Sequence, residues 1–136
     1  MMLGNYMNIL FVCKHNRFRS KVAEAYFNKI NKSDKVKARS AGLISNISIS
    51  EHLFVIYKRA NFKVTEVPEK VNEEVLNWAD KIVIVADDVE VDQFKKSGKG
   101  VIVWNIKDVP ENDELSVGRR IGEICVKVRD LVKELA

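Results

Sequence analysis

The stretch NILFVCKHNRFRSKVAEAYFNKI, residues 8–30, decides how the rest of the chain is read. Residues 8–12 form a short, continuous apolar run, the pattern of a buried strand. Residues 20–30 carry Val22, Ala23, Tyr26, Phe27 and Ile30 at helical spacing, with Ser20 at the head of the helix. Between strand and helix stand Cys13, Lys14, His15, Asn16, Arg17, Phe18 and Arg19. A loop of that length can curl so that its backbone N–H groups converge on one point. Together with the helix N-terminus they make a nest for an oxyanion. Arg19 adds a planar fork that fits two oxygens of a phosphate. The same positive field favours an ionised thiol over a neutral one. Asn16 suits such a loop, because asparagine tolerates left-handed backbone. The C-x5-R-S spacing of Cys13, Arg19 and Ser20 thus sets a nucleophile beside an oxyanion cradle.

Outward from this unit the hydrophobic period keeps alternating. Residues 36–40 read as a second, weaker strand, and Ala41 and Gly42 as the turn that ends it. Residues 50–60 read as a helix with Leu53, Ile56, Tyr57 and Ala60 facing inward. Pro68 marks a loop. Residues 72–79 open with Asn72 as an N-cap and acids in the first turn. Residues 81–86 are the clearest buried strand, 88–96 read as a helix ended by SGKG, and 101–104 as the fourth strand. Residues 105–114 form a loop before a long amphipathic helix with Ile121, Cys125, Val128, Val132 and Leu135 on one stripe. Strands that alternate with helices pair in parallel and need helices on both faces. The expectation is a three-layer α/β sandwich around a four-stranded parallel sheet, with the phosphate-binding loop after the first strand. In such sheets ligands bind beyond the carboxyl ends of the strands, where Cys13 falls.

Length and composition set the bounds. At 136 residues the chain fits one domain, read as 7–136 after a short extension, 1–6. No apolar run approaches the roughly 20 residues of a membrane helix, and the first residues lack the basic and cleavable parts of a signal peptide. Cys13 and Cys125 lie far apart and outside any CxxC pattern, which points to a reduced, cytoplasmic chain. Cys125, in the middle of the last helical stripe, reads as packing. His15 and His52 lack ligand spacing, so no metal is expected, nor any other cofactor. The net charge of +4 is mild. Without a stripe of stacking aromatics it argues for no nucleic-acid partner.

The motifs resemble those of the low-molecular-weight protein tyrosine phosphatases and the related thioredoxin-coupled arsenate reductases. FVCKHNRFRS (11–20) resembles the family's V-C-x-G-N-x-C-R-S loop, RSAGL (39–43) its S-A-G element, WADKIVIVA (78–86) its A-D-x-I-V strand and WNIKDVPEN (104–112) its late W-x-x-x-D-P loop. The resemblance implies that Cys13 is the nucleophile and forms a phosphocysteine, and that Arg19 clamps the phosphoryl oxygens. It implies that Ser20 hydrogen-bonds the thiolate, that Asn16 shapes the loop through Ser40, and that Asp108 is the general acid and later the base. Lys14, His15, Asn16, Arg17, Phe18 and Ser20 would form the substrate-binding loop. Substrates would be phosphorylated proteins, phosphotyrosine first, or small phosphomonoesters, with inorganic phosphate or another oxyanion in the loop and no membrane partner.

Several positions depart from the family pattern. His15 replaces the loop glycine, which raises the question of positive φ. Phe18 replaces the second loop cysteine and so removes a local disulfide partner. Lys14 and Arg17 replace apolar wall residues, and no aromatic pair lies in ENDEL (111–115), so a polar pocket with some taste for acidic substrates is expected. Val109 separates Asp108 from Pro110, and Asp113 is a substitute candidate for the acid. The alternatives are an arsenate reductase that uses an external thiol, and a non-catalytic phosphate- or nucleic-acid-binding domain.

Overall fold

The computed structural model describes residues 6–44, 47–64 and 67–135. Most of the 1–6 extension therefore lies outside the described residues. Four strands, β1 (Met7–Cys13), β2 (Val36–Gly42), β3 (Lys81–Val85) and β4 (Gly100–Trp104), form one sheet in the order β2-β1-β3-β4. All pairs are parallel, with Cys13 opposite Gly42 and Phe11 opposite both Ser40 and Val83. The helices are α1 (Arg19–Ile30), α2 (Glu51–Arg59), α3 (Glu73–Trp78), α4 (Asp92–Lys95) and α5 (Glu114–Leu135).

Side-chain alternation builds the layers. Ile9, Phe11, Val83 and Val85 face a core made with Val22 and Phe27 of α1, Leu53 and Tyr57 of α2, and Val117, Ile124, Val128 and Leu131 of α5. Leu10, Val12, Ile82 and Ile84 face the opposite way, onto Val75 of α3, Ala79 and Phe94 of α4. The continuous apolar runs of β1 and β3 are thus central strands covered on both faces. This is the three-layer α/β sandwich with a four-stranded parallel sheet.

Several boundaries and one helix face differ from the sequence reading. Ala41 and Gly42 are not a turn but the last residues of β2. The strand continues because Gly42 pairs beside Cys13 and also exchanges backbone bonds with Glu69 and Val71. Helix α1 starts one residue early, at Arg19. Its cap position, Phe18, makes no side-chain cap bond, and the Ser20 hydroxyl bonds Cys13 and Asn16 instead. The helix expected over 88–96 shrinks to Asp92–Lys95, and Asp88 ahead of it forms an ion pair with Arg19. On α5 the deepest face is Val117, Ile124, Val128 and Leu131, with Ile121, Val132 and Leu135 at its flanks. The two N-caps hold more simply: Ser50 accepts from the Leu53 amide and Asn72 from the Val75 amide.

Candidate active site

The site forms where β1 gives way to α1. Cys13 is the last residue of β1 and is 2% exposed. Its sulfur lies 3.3 Å from the Asn16 backbone nitrogen, which donates to it, and 2.9 Å from Ser20 Oγ. Asn16 is the bend of the loop, with φ of 55°. His15, at the family's glycine position, does not have positive φ. Among described non-glycine residues only Asn16 and Asn61 do. The left-handed position that the loop needs is taken by the asparagine, so a histidine with a β-carbon fits beside it.

Asn16 is fully buried and every polar group on its side chain is paired. The Glu69 amide donates to Oδ1 at 2.8 Å, which fixes the amide orientation. Nδ2 then donates to Ser20 Oγ at 2.8 Å and to Ser40 Oγ at 2.9 Å. The Ser40 hydroxyl in turn donates to Glu24 Oε1 at 2.6 Å. Since Ser20 Oγ already accepts from Asn16, its hydroxyl proton can point at the sulfur, which then accepts two bonds. Burial pushes the Glu24 carboxyl above the ordinary glutamate range, and burial pushes the Lys21 ammonium below the ordinary lysine range. Lys21 Nζ donates to the Val67 carbonyl at 3.2 Å, on the segment that carries Glu69.

Arg19 is 2% exposed, yet its guanidinium is surrounded by acceptors. Nη1 donates to the Ile106 carbonyl at 2.9 Å and lies 3.7 Å from Asp87. Nη2 lies 3.0 Å from Asp88 and 3.9 Å from Asp108 Oδ2. The sequence reading missed Asp87, Asp88 and the Ile106 carbonyl. The available signal was two adjacent acids just past β3, at the same sheet edge as Cys13.

Cys13, His15, Arg17 and Phe18 share a pocket of about 40 Å³ with Arg19 and Asp108, and Glu111 completes its rim. Asn16, Ser20 and Ser40 are buried around the loop and shape it. Lys14 does not line the pocket; its carbonyl accepts from the Ile44 amide. Phe18 also packs into the core beneath α1 and α5. Arg17 forms an ion pair with Glu111 at 2.7 Å, and its carbonyl accepts from the Tyr57 hydroxyl at 2.6 Å. The sequence reads Glu111 as loop and Tyr57 as core, because their shared partner Arg17 lies 94 and 40 positions away. Asp113 caps α5 through the Ser116 amide and hydroxyl, and those bonds hold its carboxyl below the usual range. It does not line the pocket. Cys125 is buried on α5, where burial pushes its thiol up.

Among the described residues no group of three or more His, Cys, Asp and Glu side chains could hold a metal. Among them, too, no helix is long and apolar enough to cross a membrane.

Residues 8–101 match the family model described as low molecular weight phosphotyrosine protein phosphatase. An arsenate reductase from Archaeoglobus fulgidus is 32% identical, with 92% of this chain and 98% of that one aligned at a TM-score of 0.74. The YwlE arginine phosphatase from Geobacillus stearothermophilus aligns over 95% and 92% at 20% identity and a TM-score of 0.79. A low molecular weight protein tyrosine phosphatase from Streptococcus pyogenes aligns over 96% and 93% at 18% identity and a TM-score of 0.77. The last two likenesses are likenesses of fold.

Proposed function

Because this chain belongs to the low molecular weight phosphotyrosine protein phosphatase family, we propose that it hydrolyses phosphomonoesters, phosphotyrosine in proteins among them, through a phosphocysteine. One observation carries the reading. The Cys13 sulfur sits within bonding distance of the Asn16 amide and Ser20 hydroxyl, in a pocket that also holds Arg19 and Asp108.

The phosphate enters with its oxygens toward the loop amides and the Arg19 guanidinium. Thiolate Sγ attacks phosphorus, so the S–P bond forms as the P–O ester bond breaks. The carboxylic acid form of Asp108 gives its proton to the leaving oxygen, since an unprotonated alkoxide or phenoxide leaves poorly. The Asp108 carboxylate then takes a proton from water, which attacks the phosphocysteine. Inorganic phosphate and the Cys13 thiolate are released. Donors aimed at the equatorial oxygens stabilise the charge that spreads there in each transition state. Ser20 receives the departing sulfur with a hydrogen bond. We place the reaction in a reducing compartment such as the cytoplasm, where both cysteines persist as thiols, and in the unit 7–136.

Hydrolysis of para-nitrophenyl phosphate without metal, from pH 4 to 8, tests this. Wild type should turn over and Cys13→Ser should not. Full turnover by the serine variant sinks the proposal.

Arsenate reduction is the second reading, favoured by the 32% identity to the archaeal reductase. Arsenate would take the same cradle. The sequence holds two cysteines, and Cys125 is buried on α5, so an external thiol would have to supply the electrons. Arsenate-dependent thiol consumption with little phosphate release selects this reading.

A further inference from the structure

We propose that the preferred substrate is a phosphomonoester bearing a second anionic group, and that Arg17 receives this group in exchange for Glu111. The proposal rests on the phosphatase reading of the Cys13 pocket.

Arg17 and Glu111 make an incomplete pair. Arg17 Nη2 lies 2.7 Å from Glu111 Oε1 and also 2.7 Å from Oε2, so both oxygens crowd one nitrogen. Arg17 Nε is buried and has no hydrogen-bond partner. A guanidinium meets a carboxylate or phosphate best through two parallel N–H···O bonds from two nitrogens. Glu111, reaching from the loop after β4, supplies only half of that arrangement. A free carboxylate or phosphate spanning Nε and one Nη would satisfy the donor that Glu111 leaves unpaired. His15 Nδ1, on the same pocket, is likewise buried without a hydrogen-bond partner.

Charge also selects the place. Asp87, Asp88 and Asp108 surround Arg19, and the reacting phosphoryl group claims what remains of that guanidinium. A second anion is disfavoured on that side. The Arg17 side carries one acid, and that acid is the exchangeable one. The pocket holds about 40 Å³, so the group that follows the phosphate lies at its mouth. There the Arg17 and Glu111 side chains are 19% and 23% exposed.

Calorimetric titration of the Cys13→Ser protein tests the exchange. Phenyl phosphate is compared with 3- and 4-carboxyphenyl phosphate, and a phosphotyrosyl peptide carrying Glu beside the phosphotyrosine with its Gln twin. At least one carboxyl-bearing probe should bind about tenfold tighter than its neutral partner, the scale of one charge-assisted pair. Whichever set shows the preference identifies a small acid or an acidic peptide as its source. Adding Glu111→Gln should widen the ratio. Adding Arg17→Gln should abolish it, and Arg17→Lys should restore only part, because lysine lacks the fork. Equal affinities, no binding of any ester, or a preference that survives Arg17→Gln overturns the proposal. If the wild type releases phosphate from none of these esters, the phosphatase reading fails, while the binding ratios still decide the role of Arg17.

Discussion

Gly42 lies against the backbone of Asn16: a β-carbon added to Gly42 would stand 2.6 Å from the Asn16 nitrogen and 2.7 Å from the His15 carbonyl carbon. The glycine is required by this close approach, since the backbone of the loop passes directly over the end of β2. The same Asn16 nitrogen donates to the Cys13 sulfur. Gly42→Ala should therefore push on the anion cradle itself. Overpacking of this kind typically costs about 1–3 kcal/mol. A lower melting temperature and weaker inhibition by inorganic phosphate are expected together. Unchanged phosphate affinity in a folded variant would mean that the contact does not govern the loop.

Asp108 lines the pocket beside Arg19, Glu111 there is paired with Arg17, and Asp113 is engaged as the cap of α5. Asp108→Asn should lower kcat by about 10²–10⁴-fold on phenyl phosphate, the usual span for general acid–base help. The loss should be smaller on para-nitrophenyl phosphate, whose leaving group needs less protonation. Asp113→Ala, which removes the cap on α5, should lower the melting temperature and leave turnover near wild type. Steady-state kinetics on both esters and a melting curve check the pair.

Tyr57 reaches from α2 to the loop, where its hydroxyl donates to the Arg17 carbonyl at 2.6 Å. Burial, with the nearby Cys13 and Glu111 charges, pushes its phenol well above the ordinary tyrosine range, so it stays a donor. Tyr57→Phe keeps the ring in the core and removes only the hydrogen bond. The expected cost is about 1 kcal/mol, from a half-buried carbonyl that loses its partner, read as a melting point lower by a few degrees. Weaker phosphate binding should accompany it. An unchanged melting point would show that water replaces the hydroxyl.

Glu24 gives the fold a pH dependence. Burial raises its folded value above the unfolded one, against the Ser40 hydrogen bond and the Lys21 charge that lower it. The stability it contributes is thus fully present below the unfolded value, and is lost as pH rises through the raised folded value. Glu24→Gln stays neutral at every pH. The variant's melting temperature relative to wild type should be higher at pH 7 than at pH 4. A difference that shrinks as pH rises would refute the assignment.

Much of this architecture was legible along the chain. The apolar runs at 8–12 and 81–86 lie on central strands, and the spacing of Cys13, Arg19 and Ser20 at a strand–helix junction located the cradle. Those are local facts, because periodicity and loop length are written in neighbouring residues. Other features had no local signature. Arg17 meets Glu111 94 positions away, Arg19 meets the Ile106 carbonyl 87 away, and Asn16 takes its amide partner from Glu69, 53 away. A hydrogen bond depends on distance in space, and only the closing of the parallel sheet brings those segments to one edge. The same closure turned Ala41 and Gly42 from an expected turn into the end of β2, since a strand continues as long as a neighbour supplies bonds. The sequence by itself therefore determined the strand–loop–helix that carries Cys13 and Arg19, and the layered α/β fold around it. The tertiary structure alone decided what holds Arg19, what faces Arg17 and why residue 42 has no side chain.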